Sequence, residues 1–278
     1  MKNILVTGGV GFIGSNLIKV LIDQGFNVTS VDDYSSGLKS NEVKGAKYIN
    51  LDIESIDKVD GKFDLCIHLA AKSRVQPSFK APTEYFRVNV QGTMQIMEWA
   101  KKNKVKVVYA GSSSKHHDPY QSPYALYKYL GEEICKMYKQ VYQMDVEIAR
   151  FYNVYGPYQL TEGSYTTLIG RWLNNIEKGI DCEIYGDGDQ RRDFTHVDDI
   201  VDALIRIQKQ QAYRFIFELG RGKNHSVNEI AKMLNINPTY KPAKLGEARN
   251  TLNTDTSAQS LLGWEPKINL EDYLTSYL

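Results

Sequence analysis

Tyr124 and Lys128 stand four residues apart. In a helix that spacing puts both side chains on one face. A lysine ammonium beside a phenol favours the phenolate. A free phenol titrates near ~10, so accepting a proton near neutral pH asks for about 4 kcal/mol of differential stabilisation. Just upstream lies the run Gly111-Ser112-Ser113-Ser114. A serine there can share the proton of a substrate hydroxyl with Tyr124, and we assign that part to Ser112. Ser112, Tyr124 and Lys128 then form a device that takes the proton from an alcohol as it is oxidised. Each part also has a plain alternative, since Tyr-x-x-x-Lys is frequent on helix surfaces and serine runs are frequent in loops. The rest of the chain decides between them.

The N-terminal stretch supplies the oxidant's site. Thr7-Gly8-Gly9-Val10-Gly11-Phe12-Ile13-Gly14 follows the apolar run Ile4-Leu5-Val6. That run reads as a buried strand. Leu17, Ile18, Leu21 and Ile22 then recur at helical spacing until Gly25. A strand, a glycine turn and a helix N-terminus make an anion site, because unpaired backbone N–H groups and the helix dipole favour negative charge. The spacing is Gly-x-x-Gly-x-x-Gly rather than the commoner Gly-x-Gly-x-x-Gly. The plain alternative is a tight turn of small residues that lets helix and strand pack. The next strand, 26–31, ends in Asp32-Asp33. An acid at that tip suits the ribose hydroxyls of NAD and repels the 2′-phosphate of NADP. No Arg or Lys occurs in the glycine turn or between Asp33 and Lys39. NAD is therefore the expected cofactor, and it places a hydride acceptor beside the Ser/Tyr/Lys group.

These residues need elements to position them. Further strands are expected over 47–52, 63–70, 105–110 and 146–150, with helices over about 82–102 and 124–142. Strands alternating with helices imply a parallel, doubly wound sheet. Ligands in such sheets sit at the carboxyl ends of the strands. Beyond residue 157 the pattern loosens, with turn signals at Gly156-Pro157, Gly186-Asp187-Gly188-Asp189 and Asn237-Pro238. A smaller substrate domain is expected there. The chain has 278 residues with 34 basic and 33 acidic side chains, so no basic stripe argues for nucleic acid. No apolar stretch approaches a membrane span. The first residues already read as strand, so no signal peptide is expected and the cytoplasm is the expected location. Three scattered cysteines, Cys66, Cys135 and Cys182, lack metal spacing and are expected as buried thiols. His116-His117 reads as loop, and no metal is expected.

The glycine turn with Phe12-Ile13, Asp32, Asp52-Ile53, Leu69-Ala70-Ala71, the serines and Tyr124-x-x-x-Lys128 resemble the extended short-chain dehydrogenase/reductase family. The nucleotide-sugar branch is resembled further on, by Arg150-Phe151-Tyr152-Asn153-Val154-Tyr155-Gly156-Pro157, by the segment 185–199, by Gly246-Glu247-Ala248-Arg249-Asn250-Thr251 and by Leu261-Leu262-Gly263-Trp264-Glu265-Pro266. The resemblance spans the chain in order. It implies a Rossmann-like doubly wound parallel sheet with a smaller mixed α/β substrate domain. The implied division is 1–157 with 194–220 for NAD, and 158–193 with 221–278 for the nucleotide-sugar. By the same resemblance Gly8, Gly11, Phe12 and Ile13 hold the pyrophosphate, Asp32 the adenosine ribose, and Asp52 and Ile53 the adenine. Asp33, Ser35, Gly37, Leu69, Ala70 and Ala71 line the cofactor, and Asn89 helps to position it. Lys128 reaches the nicotinamide ribose, while Phe151 and Tyr124 lie near the nicotinamide. Asn153 and Arg192 take the diphosphate, with Lys244 standing where an arginine is usual. Thr167, Leu168 and Trp172 cradle the base, with Gly170 where a proline is common. Arg74, Ser113, Ser114, Glu247 and Thr251 belong to the substrate side. A small residue at Thr251 is expected to admit N-acetylated sugars. Pairing of helices 82–102 and 124–142 with their copies implies a homodimer.

Two departures matter. Relatives that eliminate water carry Thr-Asp-Glu where this chain has Ser112-Ser113-Ser114, so the acid and base of dehydration are missing. The usual Val-Tyr-Gly is replaced by Lys115-His116-His117, and the loop to Tyr124 is markedly short. The expected activity is NAD-dependent C4 epimerisation of a UDP-hexose or UDP-N-acetylhexosamine through a transient 4-keto sugar. Another nucleotide-sugar oxidoreductase or reductase, or a nucleotide-binding homologue without catalysis, are the alternatives.

Overall fold

A computed structural model describes residues 2–209 and 215–277. Residues 210–214, inside the expected segment 194–220, lie outside the described residues, as do 1 and 278. The apolar runs form strands β1 (Asn3–Thr7), β2 (Asn27–Asp32), β3 (Lys47–Asn50), β4 (Leu65–His68), β5 (Lys106–Ser112) and β6 (Val146–Phe151). A seventh, β7 (Ile216–Leu219), joins them. The order is β7-β6-β5-β4-β1-β2-β3, and every pairing is parallel. The chain reverses direction across the sheet between β1 and β4. The crevice outside their carboxyl ends is where such sheets take ligands.

Alternation along the strands sorts side chains to two faces. Ile4, Val6, Leu65, Ile67 and Val108 face one core, which α1 (Phe12–Asp23) and α7 (Val197–Lys209) cover. Leu5, Cys66, Val107 and Ile148 face the other. That face is covered by α4 (Thr93–Asn103) and α5 (Pro123–Tyr142). Strands buried on both faces explain the near-continuous apolar runs. Between β4 and α4 lie α2 (Val75–Lys80) and α3 (Pro82–Phe86). The single helix expected over 82–102 is α3, a π-helical turn over 87–92, and α4. The wider turn lets the Asn89 side chain reach the loop after β4, and π-turns of this kind recur at functional sites.

The substrate-side segments build a third core from Tyr155, Ile169, Trp172, Ile184, Phe194, Ile230, Leu270 and Leu274. It is carried by α6 (Leu168–Glu177), α8 (Val227–Met233) and α10 (Leu270–Thr275). Short strand pairs accompany it, with 183–185 against 239–241 and 191–193 against 224–226. The last segment is shared between the two bodies. Ala258 and Leu262 of α9 (Ser257–Leu262), with Trp264, pack against the first core.

Helix α5 carries Tyr124 and Lys128, so its seat on β5 matters most. Ser122 caps it, accepting from Ala125 N at 3.2 Å, and Pro123 occupies the first turn. Gly131 lets it approach: a Cβ there would stand 2.2 Å from the Tyr109 hydroxyl. Gly131→Ala should therefore lower stability by about 1–3 kcal/mol through overpacking. Chemical denaturation measures this, and an unchanged midpoint would show that α5 does not depend on that approach.

Candidate active site

One cavity of about 1130 Å³ runs along the carboxyl ends of the strands into the substrate side. Its size suits two nucleotide-sized ligands better than one. All but one of the expected site residues line it. The exception is Asn89, which is buried behind the wall. Its side chain accepts from Lys72 N at 2.8 Å and donates to the Lys72 carbonyl at 2.9 Å, so it braces the loop after β4.

β5 ends at Ser112, two residues beyond the expected strand, and its tip faces the first turn of α5. The Tyr124 hydroxyl donates to Ser112 Oγ over 3.4 Å. Ser114 Oγ donates to the same oxygen at 2.9 Å. One turn further along α5, the Lys128 ammonium donates to Tyr109 Oη at 2.9 Å and to the Ala110 carbonyl at 2.6 Å. Burial pulls Lys128 down to about 8, against the opposing charge of Glu132. The serine and tyrosine thus meet from a strand tip and a helix face, while the lysine, one turn on, is bonded at the base of the same strand tip and lines the same cavity. Behind them, Arg150 grips Glu132 through Nε at 3.0 Å and Nη2 at 2.6 Å. It also donates to Glu218 at 2.6 Å. Glu132 in turn accepts from Ser112 N at 3.3 Å. His116 of the short loop reaches back to Glu218 at 3.0 Å, which fixes the altered rim.

The cofactor half fits a dinucleotide. Gly8 has φ +75, and a Cβ there would stand 2.8 Å from Ala70 N. A Cβ on Gly14 would meet the Gly8 carbonyl at 2.2 Å. These two glycines serve close packing, as the plain alternative holds. Gly11 differs, because a Cβ there meets only the Gly8 carbonyl, at 3.2 Å. It heads α1 without a side-chain cap, leaving the first helical N–H groups for a ligand. Gly37 packs on Val10. Asp32 is buried at the β2 tip and accepts from Tyr34 N at 2.9 Å and Val10 N at 3.1 Å. Burial raises its carboxyl, with those two N–H groups opposing. Asp33 accepts from Ser35 N at 2.9 Å. Burial alone would raise Asp52, but Glu54 N and Arg87, 2.8 Å away, hold it lower. Beneath Ala70 a buried chain runs from Ala70 N through Thr7 Oγ1 to His68 Nδ1, then from His68 Nε2 to Thr93. Burial first, then the Lys128 charge, pushes His68 down to about 3 and keeps it neutral.

On the substrate side, Asn153 Nδ2 donates to Thr251 Oγ1 at 3.1 Å and to the Asp193 carbonyl at 3.1 Å. Thr251 Oγ1 also accepts from Asp193 N at 3.1 Å. Thr167 caps α6, accepting from Gly170 N at 2.7 Å. A Cβ on Gly170 would meet the Leu160 carbonyl at 2.7 Å, which accounts for glycine there. Trp172 is fully buried beneath the wall, while Leu168 packs partly buried beside it. Arg192 faces Glu247 at 3.7 Å, and burial pulls its guanidinium below the ordinary value. Lys244 lies over the Tyr185 ring, 3.3 Å from its centre. Arg74 holds φ 77 and ψ 141, a region almost reserved for glycine that costs of order 1–3 kcal/mol.

Lys72, Arg171 and His117 are among the lining residues that escaped the sequence reading. Lys72 bonds Ser35 Oγ at 3.2 Å and Glu84 at 2.9 Å. It follows Ala71 directly at the end of β4, so the strand-end rule pointed at it. Arg171 donates to Thr166, and His117 stands near Arg192 with its Nε2 buried and unbonded among the described residues. Neither carried a sequence signal.

The model of the NAD dependent epimerase/dehydratase family matches residues 4–220. The UDP-glucose 4-epimerase of Mycolicibacterium smegmatis is 31% identical over 96% of this chain and 95% of its own. The UDP-N-acetyl-alpha-D-glucosaminuronate decarboxylase of Bacillus cytotoxicus is 32% identical over 83% of this chain and 78% of its own. The crystal structure of UDP-glucose 4-epimerase with UDP-glucose from Thermotoga maritima superposes with a TM-score of 0.91 at 30% identity, covering 98% of this chain and 96% of that one. The chain belongs to this family of NAD-dependent UDP-sugar epimerases and decarboxylases.

The open face of Gly11, the uncapped start of α1 and the Asp32 carboxylate fit NAD. Asp32→Asn replaces an acceptor of two backbone N–H groups by a side chain that offers one. NAD affinity should fall about tenfold or more, and the preference over NADP should narrow. Calorimetric titration with both nucleotides checks this; equal wild-type affinity for the two would contradict it.

Proposed function

We propose that this member of the NAD-dependent epimerase/dehydratase family inverts C4 of a UDP-hexose or UDP-N-acetylhexosamine through a transient 4-keto sugar. The reading rests on one observation above all: the Tyr124 phenol faces Ser112 Oγ at 3.4 Å in the same cavity as the glycine turn. Bound NAD supplies hydride acceptance and return. The side chains handle the proton. Tyr124 takes it from the 4-hydroxyl and gives it back after the sugar has turned over. Ser112 holds the oxygen meanwhile, and Lys128 orients the cofactor ribose and stabilises the phenolate.

The serines support epimerisation over elimination. Ser113 and Ser114 offer hydroxyls where elimination of water needs an acid and a base. Arg192 and Lys244 suit a diphosphate. Thr251 keeps its proton to donate after accepting twice, and its small side chain leaves volume beside a 2-acetamido group. The match to a decarboxylase favours a second reading, in which the same proton transfer is followed by loss of carbon dioxide. The products tell the two apart.

Homodimerisation through the outer faces of α4 and α5 belongs to the same proposal. Phe86, Val141 and Tyr142 are exposed on these helices and their flanks. Light scattering at micromolar concentration should give twice the chain mass; a monomer would remove the dimer.

Tyr124→Phe keeps the ring and removes the proton carrier. The variant should fold, bind NAD and lose at least ~10² in turnover. NMR of the products from a panel of UDP-sugars measures both activity and identity. Near-wild-type turnover would take Tyr124 out of its role.

A further inference from the structure

Arg74 has no part in the chemistry above, yet it sits at the reacting end of the cavity. It closes the loop after β4 and heads α2. Helix α2 packs on the first turn of α5, where Ser78 Oγ accepts from Tyr124 N at 3.2 Å. Burial lowers the Arg74 guanidinium below its ordinary value, with neighbouring Tyr124 and Glu247 opposing. Its Nε donates to the Tyr165 carbonyl at 3.1 Å. That bond holds the side chain by its inner nitrogen. Among the described residues, the two terminal nitrogens donate to nothing and no carboxylate oxygen lies within 4.0 Å of them. Glu247, the carboxylate that acts on Arg74, is bonded by Gln76 at 3.0 Å and faces Arg192.

Two features make this arrangement informative. The backbone at Arg74 adopts φ 77, where glycine would be relaxed and arginine is strained. A charged guanidinium half-buried without an anionic partner is also costly. Strain of this kind clusters at ligand sites, where a bound group can supply the missing partner. The planar fork of Arg pairs bidentately with a carboxylate. Arg192 and Lys244 already suit the diphosphate, so the anion left for Arg74 is on the sugar.

We propose that Arg74 recognises a carboxylate at C6 of the sugar, so that the substrate of the proposed 4-epimerisation is a nucleotide-linked hexuronic acid in place of the neutral hexose or N-acetylhexosamine named above. This rests on the reading of the cavity as a UDP-sugar site and names the sugar class within it. Strained Arg74 then acts as the residue that separates acidic from neutral hexoses. Closure of the pair brings the carboxylate to the wall that α2 forms beside Tyr124. The epimerising centre is left to Ser112 and Tyr124.

The test uses the full chain with NAD, and UDP-glucuronate and UDP-glucose as probes. Wild-type kcat/KM should favour UDP-glucuronate by about 10² or more, as expected where a half-buried charge is left unpaired by the wrong substrate. Arg74→Gly removes the guanidinium and relieves the backbone, so it should fold at least as stably. Its preference for UDP-glucuronate should collapse by about 10², chiefly through KM. Arg74→Lys should restore part of it, because the charge returns without the fork. Where turnover is too slow to follow, titration of both probes reads the same ratio as affinities. Equal loss on both probes, or a wild type that prefers UDP-glucose in turnover and affinity, would overturn the proposal. The products decide the other question separately. The 4-epimer of UDP-glucuronate supports both readings, whereas release of carbon dioxide with a UDP-pentose leaves the carboxylate pairing standing and removes 4-epimerisation.

Discussion

The geometry of the site depends on Arg150. Its guanidinium lies between Glu132 of α5 and Glu218 of β7, on a side chain from β6. The consecutive elements α5 and β6 and the distant β7 are thereby tied at one point. Glu132 also accepts from Ser112 N, so the tie includes the tip of β5. Taking three charged groups out of water costs several kcal/mol each, and only dense hydrogen bonding offsets it. Here that bonding is present: Tyr152 Oη and His116 add to Glu218. The constraint reaches the sequence at Gly111. A Cβ there would meet Glu132 Oε1 at 2.7 Å and Arg150 Cγ at 2.8 Å. Glycine before the serines is the condition for the charge cluster to sit directly under them. Removing either acid would leave Arg150 underpaired and free the strand tip from the helix that must face it.

The substrate side is organised by a similar device. The Asp193 carboxylate is fully buried and accepts from Arg221 N and Gly222 N at 2.9 Å and from Asn253 N at 3.0 Å. Burial raises it, while those three N–H groups oppose the rise. Asp199 does the same for the end of the chain, accepting from Lys267 N and Ile268 N, while its carbonyl takes the Trp264 indole. Irregular segments cannot satisfy their own backbone groups as strands do. Buried carboxylates collect those groups and bring Asn153, Thr251 and Arg192 to one wall. That explains how a region with weak periodicity still presents a defined surface.

Legibility in the sequence followed the locality of the physics. The apolar runs, the glycine turn and Asp32 are local signals, and the strands appear within a residue or two of their expected places. Tyr124 and Lys128 were readable because helical spacing alone puts them on one face. The π-turn over 87–92 was not, since a sustained apolar pattern looks the same with one widened turn in it. Asn89 was expected to help position the cofactor and stands one layer behind the wall, where its amide braces Lys72; that route is visible only in the fold. Gly131 and Gly111 resemble weak points in helix and strand. Their reasons, Tyr109 and the Arg150 cluster, come from residues distant in sequence.

The same contrast bears on how the site is built. Lys128 is 5% exposed, and its burial disfavours the charge that proton transfer needs. Arg74 is strained, and α1 starts without a side-chain cap. Each of these lowers stability, and each lies on the cavity along the strand ends. Elsewhere both kinds of helix start occur: Ser226 with Glu229 forms a capping box on α8, whereas α9 and α10 begin without a side-chain cap, and Lys104 and Gln143 hold positive φ at helix ends. Two apolar cores on the sheet and a third behind Trp172 supply the offsetting burial. A strained arginine and a buried lysine brought to one cavity are departures of the kind a binding site requires. The uncapped helix calls for an anion, the neutral His68 keeps a second positive charge away from Lys128, and the free fork of Arg74 calls for another anion. The polarity of the ligands is thus written into the terms that the fold leaves unbalanced.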